Sequence, residues 1–115
     1  MYLHSFAQSD NATINVTELS ERMNSDSTLI ILDVRTPEEL VGPLGKLKNV
    51  INIPVQNLAQ RLDELEKYKE KEIAIICRSG NRSHQATMFL NQQGFKAKNV
   101  IGGMIEYRNR IKLED

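Results

Sequence analysis

The amino-acid sequence predicts a single α/β domain whose strands form a parallel sheet. Its 115 residues, 40% of them hydrophobic, suffice for one ordinary core and are too few for two comfortable domains. Short apolar runs alternate with helix-like segments from start to finish, which is typical of β/α units. The two central runs are almost wholly aliphatic, as strands buried on both faces of a sheet should be.

Five apolar runs are predicted to be strands, at residues 14–16, 29–34, 50–53, 73–77 and 99–101. No repeat or linker interrupts them, so one domain is expected to span residues 1–115. Residues 1–12 precede most of the pattern and are expected to form a loosely attached N-terminal segment.

A short helix is predicted directly after the second strand. Thr36 is a candidate N-cap, Pro37 stands at the first helical position, and Glu39 can reach back to complete a capping box. This helix should end by Gly42.

Two further helical segments flank the fourth strand. Before it, leucines recur at helical spacing, at Leu58, Leu62 and Leu65. After it, an apolar helical face is formed by Ala86, Phe89 and Leu90. Gly94 is placed to end this later helix.

Composition limits the partners and the compartment. Lysine plus arginine equals aspartate plus glutamate at 15 each, so no broad field favours nucleic acid or an anionic membrane. No apolar stretch approaches the roughly 20 residues that span a bilayer, so a soluble protein is expected. The single cysteine cannot form an internal disulfide, and the first ten residues lack a secretory pattern, so a cytoplasmic location is expected.

The only cysteine begins the segment "CRSGNRS", which joins the fourth strand to the following helix. In open α/β sheets, ligands bind at this carboxyl edge of the strands. The thiolate is the nucleophilic form of cysteine, and a free thiol with a pKa near ~8.5 is mostly protonated. The loop can stabilise the anion with inward-facing backbone N–H groups and with the N-terminus of the helix. The segment therefore predicts a nucleophile, Cys77, inside a cradle of amides.

The remaining loop residues are candidates for binding an anionic substrate: Arg78, Ser79, Gly80, Asn81, Arg82 and Ser83. Gly80 permits a backbone geometry that a side chain would block, and Ser83 can donate a hydroxyl hydrogen bond. The two arginines supply fixed positive charge. A lone cysteine is more often a small buried hydrophobe, but a strand, a cysteine, a polar glycine-containing loop and a helix together favour anion capture beside a nucleophile.

Four segments together resemble the rhodanese-like domains, which are single-domain sulfurtransferases. "CRSGNRS" resembles their active-site loop, and "LDVRTPEEL" resembles a "DVR" followed by an acidic helix. "GKLKNVINIP" is similar to a stretch that often reads "GHIPGAINIP", and "NVIGGMIEY" is similar to a segment with "GG" and a later aromatic residue. The sequence departs from the family where Lys46, Lys48 and Asn49 replace His, Pro and Gly, and where Tyr107 replaces Trp.

This resemblance implies a three-layer α/β/α fold with a central five-stranded parallel sheet. It implies that Cys77 takes sulfur from a small anionic donor such as thiosulfate, forms a persulfide, and passes the sulfur to cyanide, a thiol or a protein acceptor. Asp33 and Arg35 are carried over as supporting residues that tie the second strand to the loop. No metal or organic cofactor is required, and two histidines, His4 and His84, are too few and too separated for a metal site.

Two alternatives remain open at this point. Dual-specificity phosphatases and some arsenate reductases have the same fold, but five residues separate their cysteine and arginine, whereas four separate Cys77 from Arg82. The shorter loop should fit a sulfur atom better than a phosphate, and a single cysteine excludes an internal resolving thiol. The other alternative is a sulfur-relay or regulatory binding module with little turnover of thiosulfate.

Overall fold

The structure is a computed structural model that describes residues 12–111, so the predicted N-terminal segment lies outside the described residues except for Ala12. It contains five strands: β1 (Thr13–Ile14), β2 (Ile30–Asp33), β3 (Ile51–Asn52), β4 (Glu72–Ile76) and β5 (Lys96–Val100). They form one parallel sheet in the order β1-β5-β4-β2-β3. The predicted five-stranded parallel sheet is confirmed.

Helices cover both faces of this sheet. The α-helices are α1 (Val16–Ser25), α2 (Pro37–Leu40), α3 (Asn81–Gln92) and α4 (Gly103–Arg110), and two 3₁₀ helices span Val55–Asn57 and Leu62–Tyr68. Successive residues of β4 point to opposite faces, so Ile73 and Ile75 join one buried cluster while Ala74 and Ile76 join the other. The first cluster includes Leu90 of α3, and the second includes Leu19 of α1 and Met104 of α4. The domain therefore has the three layers that were expected.

The first strand is shorter than the sequence predicts. Val16 was assigned to this strand, but it is the first residue of α1. Asn15 caps this helix, because its side chain accepts a hydrogen bond from the backbone N–H of Glu18 at 2.8 Å. Val16 and Leu19 then lie buried against the sheet.

The leucine-rich segment before β4 is 3₁₀-helical rather than α-helical. Leu62 and Leu65 lie three residues apart, which is the period of a 3₁₀ helix, and Leu58 and Leu65 are buried. The last strand begins at Lys96 rather than at residue 99, and from Lys96 to Asn99 its residues alternate between more exposed and buried positions.

The capping box at the start of α2 is confirmed. The Thr36 hydroxyl accepts from the N–H of Glu39, and the Glu39 carboxylate accepts from the N–H of Thr36. The helix is a single turn that ends at Leu40, which leaves Glu39 close to the cysteine loop. No helix within residues 12–111 is long and apolar enough to cross a membrane.

Candidate active site

Cys77 lies at the carboxyl edge of the sheet, between β4 and α3. Its chain turns through Gly80, which precedes α3 with φ 111° and ψ −10°. This φ is accessible to glycine and strained for other residues. Because β2 and β5 are the neighbours of β4, the ends of both strands lie beside the loop. Cys77 itself is 1% exposed.

Three groups from the loop and from α3 meet the Cys77 sulfur. The backbone N–H of Gly80 donates to Sγ at 3.1 Å, and the N–H of Ser83 donates at 3.4 Å. The Ser83 hydroxyl lies 3.3 Å from Sγ. The loop therefore forms the amide cradle that the sequence predicts.

The cradle favours the thiolate despite the burial of the sulfur. Burial alone raises the pKa of the Cys77 thiol. The hydrogen bonds with the Ser83 hydroxyl and with the amides of Ser83, Gly80 and Ser79 lower it further than burial raises it. The net result is a pKa below the ordinary value for cysteine, so the nucleophilic form is stabilised.

The start of α4 holds the opposite side of the same loop. The N–H of Met104 donates to the carbonyl oxygen of Cys77 at 2.9 Å, and the N–H of Ile105 donates to that of Arg78 at 3.0 Å. Gly103 makes this approach possible, because a Cβ atom there would lie 2.6 Å from both oxygens. These bonds turn the first two loop carbonyls towards α4.

Arg82 lies in the first turn of α3 and pairs with α2. Its two terminal nitrogens donate to the two carboxylate oxygens of Glu39 at 2.8 and 2.9 Å. The hydrogen bond from Arg82 is the largest reason that the pKa of Glu39 falls to about 2, and the Thr36 N–H also lowers it. The guanidinium that was predicted to meet a substrate is thus engaged by a carboxylate.

Arg78 is exposed and lies at the edge of a cavity of about 430 Å³. The cavity lies between the cysteine loop and the segment that follows β2, and it is lined by Arg35, Glu38, Glu39, Gly42, Pro43, Leu44 and Arg78. Within the described part of the chain, no carboxylate forms an ion pair with Arg78. The side chains of Ser79 and Asn81 are also exposed at this end of the loop.

Asp33 and Arg35 form a buried ion pair at the end of β2. Arg35 Nη2 lies 2.8 Å from Asp33 Oδ2, and both side chains are at most 1% exposed. Arg35 also donates to the carbonyl oxygens of Glu39 at 3.3 Å and Gly45 at 2.7 Å. The pair therefore joins β2 to α2 and to the chain that follows it, and Arg35 reaches the wall of the cavity.

Comparison with known proteins identifies the fold family. A family model described as "Rhodanese-like domain" matches residues 15–110. The chain belongs to the rhodanese-like family. It is 34% identical to the putative sulfurtransferase YtwF of Bacillus subtilis over 99 residues, which cover 86% of this chain and 92% of that protein. It is 36% identical over 109 residues to the putative sulfur carrier protein YrkF of the same organism, covering 90% of this chain and 57% of that protein.

A solved structure with a similar fold is SSP1007 from Staphylococcus saprophyticus subsp. saprophyticus. Its TM-score is 0.76 at 34% sequence identity, and the match covers 90% of this chain and 98% of that one. This structure supports the fold, and the curated relatives support a rhodanese-type sulfurtransferase.

In this rhodanese-like domain, several residues of the site come from outside the loop. Glu39 of α2 accepts hydrogen bonds from Arg82, and Asn99 of β5 accepts one from Ser83. Gly103 of α4 lacks a side chain and so leaves room for the carbonyl groups of the loop. Asn99 is a polar residue near the carboxyl end of β5, the strand that pairs with β4. A polar residue at the end of an apolar strand is the one sequence signal that could have marked Asn99 as part of the site. Its contact depends on the order of the strands, which hydrophobic periodicity does not determine.

Proposed function

We propose that this domain transfers sulfane sulfur from an anionic donor such as thiosulfate to a thiophilic acceptor through a persulfide on Cys77. The observation that carries the proposal is the position of Cys77 Sγ within hydrogen-bond reach of the N–H groups of Gly80 and Ser83. Such preorganised donors stabilise charge as it develops on the reacting atoms.

The reaction takes two displacements. The Cys77 thiolate attacks the outer sulfur of thiosulfate, the S–S bond of thiosulfate breaks, and sulfite leaves with the bonding electron pair. The acceptor, cyanide or a thiolate, then attacks the terminal sulfur of the persulfide. The S–S bond breaks, the product carries the sulfur away, and the Cys77 thiolate is restored.

Arg78 is the residue that would receive the charged end of the donor. Arg35 and Arg82 are each engaged by a carboxylate, whereas the exposed Arg78 has no carboxylate partner among residues 12–111. A guanidinium can meet two oxygens of thiosulfate at once, whereas 3-mercaptopyruvate has one carboxylate further from its sulfur. We therefore expect thiosulfate to be preferred.

The phosphatase alternative is disfavoured by the same arginines. A phosphatase of this fold needs its loop arginine to bind the phosphate, but Arg82 is committed to Glu39 by two hydrogen bonds. Four residues separate it from Cys77, one fewer than in those enzymes. Hydrolysis of an aryl phosphate should therefore be negligible beside sulfur transfer.

The central test uses the intact mass of the protein and the release of thiocyanate. Incubation with thiosulfate should add one sulfur atom to the wild type and none to Cys77→Ser, and later addition of cyanide should release thiocyanate from the wild type alone. Turnover by a folded Cys77→Ser variant at the wild-type rate would refute the proposal. A persulfide that forms but transfers sulfur to cyanide very slowly would favour the relay alternative, in which a protein is the acceptor.

The role of Arg78 is tested by steady-state kinetics with both donors. Arg78→Ala should lower kcat/KM for thiosulfate by roughly ten-fold or more, because contacts with a charged group are worth about 1.5–3 kcal/mol. The loss with mercaptopyruvate should be smaller. Arg61→Ala is the matched control, since the Arg61 side chain is 40% exposed but pairs with Glu64 on a different segment. Equal losses for both donors, or a loss for neither, would exclude Arg78 as the donor-selecting residue.

A further inference from the structure

The Ser83 hydroxyl lies between two acceptors and has one proton. Its oxygen is 2.5 Å from Asn99 Oδ1 and 3.3 Å from Cys77 Sγ. Ser83 is fully buried and Asn99 is 8% exposed, so both contacts lie in the interior of the protein. A serine hydroxyl can donate only one hydrogen bond, although it can accept others.

The other end of the Asn99 side chain fixes which atom faces the serine. Asn99 Nδ2 lies 3.4 Å from the carbonyl oxygen of Gly80 and donates to it. Turning the amide over would place Oδ1 against that carbonyl, which is repulsive. Oδ1 therefore faces Ser83 and accepts a hydrogen bond from its hydroxyl, and the neutral Cys77 thiol can donate to the serine oxygen.

Ionisation of Cys77 upsets this arrangement. The thiolate has no proton to donate, so a lone pair of Ser83 would face an anion. Rotation of the hydroxyl towards Sγ removes that repulsion, but it leaves the buried Oδ1 of Asn99 without its partner. The thiolate and Asn99 thus compete for the one hydrogen bond that the Ser83 hydroxyl can donate.

We propose that Asn99 is a positioning residue that makes the Ser83 hydroxyl a switch, which donates its hydrogen bond either to Asn99 or to Cys77 Sγ. The hydroxyl donates to Asn99 whenever Sγ is uncharged and rotates onto Sγ only in the thiolate. This inference rests on the proposed persulfide chemistry. When the persulfide forms, the negative charge moves from Sγ to the terminal sulfur, and the hydroxyl returns to Asn99. Asn99 therefore stabilises the sulfur-loaded state relative to the empty thiolate.

The switch predicts an unusual direction for one substitution. Asn99→Leu keeps the approximate shape of the side chain and removes the competing acceptor, so Ser83 is free to donate to the thiolate. The pKa of Cys77 should fall by about one unit relative to the wild type, as expected for a hydrogen bond to a charged group. A merely structural role for Asn99 predicts the reverse, because a disordered cradle would let the pKa rise towards that of free cysteine.

The pKa is measured as the pH dependence of Cys77 alkylation. The charged group that interacts electrostatically with Cys77 is Arg82 of α3, which also interacts with Glu39 of α2 and with Asp33 at the end of β2, and Asp33 is paired with Arg35. None of them is altered, so differences between variants report on Asn99 and Ser83. In a Ser83→Ala background, Asn99→Leu should no longer lower the pKa. A lowering that persists without the serine hydroxyl, or a pKa that rises or stays unchanged in Asn99→Leu, would overturn the switch.

Two further measurements keep the test decisive. Asn99→Val, whose side chain suits β5, replaces the leucine variant if that variant fails to fold. Ser83→Ala alone should raise the pKa of Cys77 by less than about half a unit if Asn99 competes for the hydroxyl, because the bond to the thiolate then costs the bond to Asn99; it should raise the pKa by about one to two units if the hydroxyl interacts with the sulfur alone. The larger rise would also overturn the proposal.

The loading equilibrium provides an independent readout. At a fixed ratio of thiosulfate to sulfite, Asn99→Leu should shift the ratio of persulfide to thiolate towards the thiolate by about five- to ten-fold. An unchanged ratio would contradict the stabilisation of the loaded state. If the wild type forms no persulfide at all, the proposed function fails, while the alkylation measurements still decide the switch.

Discussion

Two helix N-termini meet at the cysteine loop, and they hold different atoms of it. Both α3 and α4 begin after a glycine with positive φ, 111° at Gly80 and 82° at Gly102, and neither has a side-chain cap. The start of α3 directs N–H groups at the Cys77 sulfur, whereas the start of α4 directs them at the carbonyl oxygens of Cys77 and Arg78.

The difference shows that an anion site needs control of carbonyl groups as well as of amides. A carbonyl oxygen close to the sulfur would oppose the thiolate, since its dipole presents negative charge. Because α4 binds the carbonyls of Cys77 and Arg78, the loop can turn its later N–H groups towards Sγ. One helix therefore stabilises the nucleophile directly, and the other does so by orienting the backbone.

The largest expected effect is that of Gly103→Ala, which separates α4 from the loop. The added Cβ atom would lie 2.6 Å from two backbone oxygens, at a φ of 61°. Left-handed strain and overpacking together should lower the free energy of unfolding by about 2–4 kcal/mol. Urea unfolding measures this loss, and alkylation should give a higher pKa for Cys77 in the folded variant. Unaltered thiol reactivity would mean that α4 does not orient the loop.

Gly80→Ala tests the other helix start, with Gly94→Ala as a matched control. Both glycines have strongly positive φ, 111° and 93°, and an added Cβ atom would lie 3.4 Å from the backbone nitrogen of Gly102 at Gly80 and 3.3 Å from the Lys69 side chain at Gly94. Each substitution should therefore lower the free energy of unfolding by about 1–3 kcal/mol. Only Gly80→Ala should slow sulfur transfer per folded molecule, because Gly94 follows α3 at its far end. Equal activity of the two variants would show that the exact course of the loop at Gly80 is unimportant.

The third prediction concerns the charge that α3 stabilises. The pKa of Cys77 is lower in the folded protein than in the unfolded chain, since the hydrogen bonds of the cradle outweigh burial. The stability of the wild type relative to Cys77→Ser should therefore be largest above the unfolded pKa of about 8.5 and decline as the pH falls through the folded pKa. Chemical unfolding at several pH values measures the difference. A difference that grows towards low pH would contradict a stabilised thiolate.

The smallest effect on stability is expected at the ion pair that joins α3 to α2 and does not contact the sulfur. Glu39→Gln should lower the free energy of unfolding by about 1 kcal/mol or less at neutral pH, because the Glu39–Arg82 pair is partly exposed. The pKa of Glu39 is about 2 when folded and 4.5 in its ordinary state. The advantage of the wild type should thus be complete above about pH 4.5 and vanish as the pH falls towards 2. A constant difference across that range would exclude the carboxylate as its source.

Local sequence patterns predict the half of the site that one segment contains. The strand before Cys77, the glycine in the loop and the helix after it are contiguous, and the positive φ of Gly80 agrees with the role predicted for it. The capping box of α2 is equally local and is confirmed. Helix α1 is not among the helices predicted from the sequence, because Val16 reads as the end of an apolar strand although Asn15 is an N-cap.

The other half of the site depends on which strands and helices are neighbours. The ion pair of Arg82 joins residues 43 positions apart, and the bond between Ser83 and Asn99 requires β5 beside β4. No periodicity in the sequence determines either arrangement. The family resemblance provides the sheet, but it does not state which carboxylate or amide reaches each loop residue.

The pairing of β1 with β5 has a consequence for biosynthesis. Thr13 aligns with Asn99 and Ile14 with Val100. The first strand can therefore pair in the sheet only after the last strand has left the ribosome. A nascent chain whose first 95 residues have emerged from the ribosome already contains the whole cysteine loop outside the tunnel, but Asn99 and the start of α4 have not yet emerged. Its thiol is therefore exposed to alkylation and oxidation without the contacts that hold the finished loop. Pulse labelling of stalled chains of increasing length should locate the codon at which the cysteine changes its reactivity.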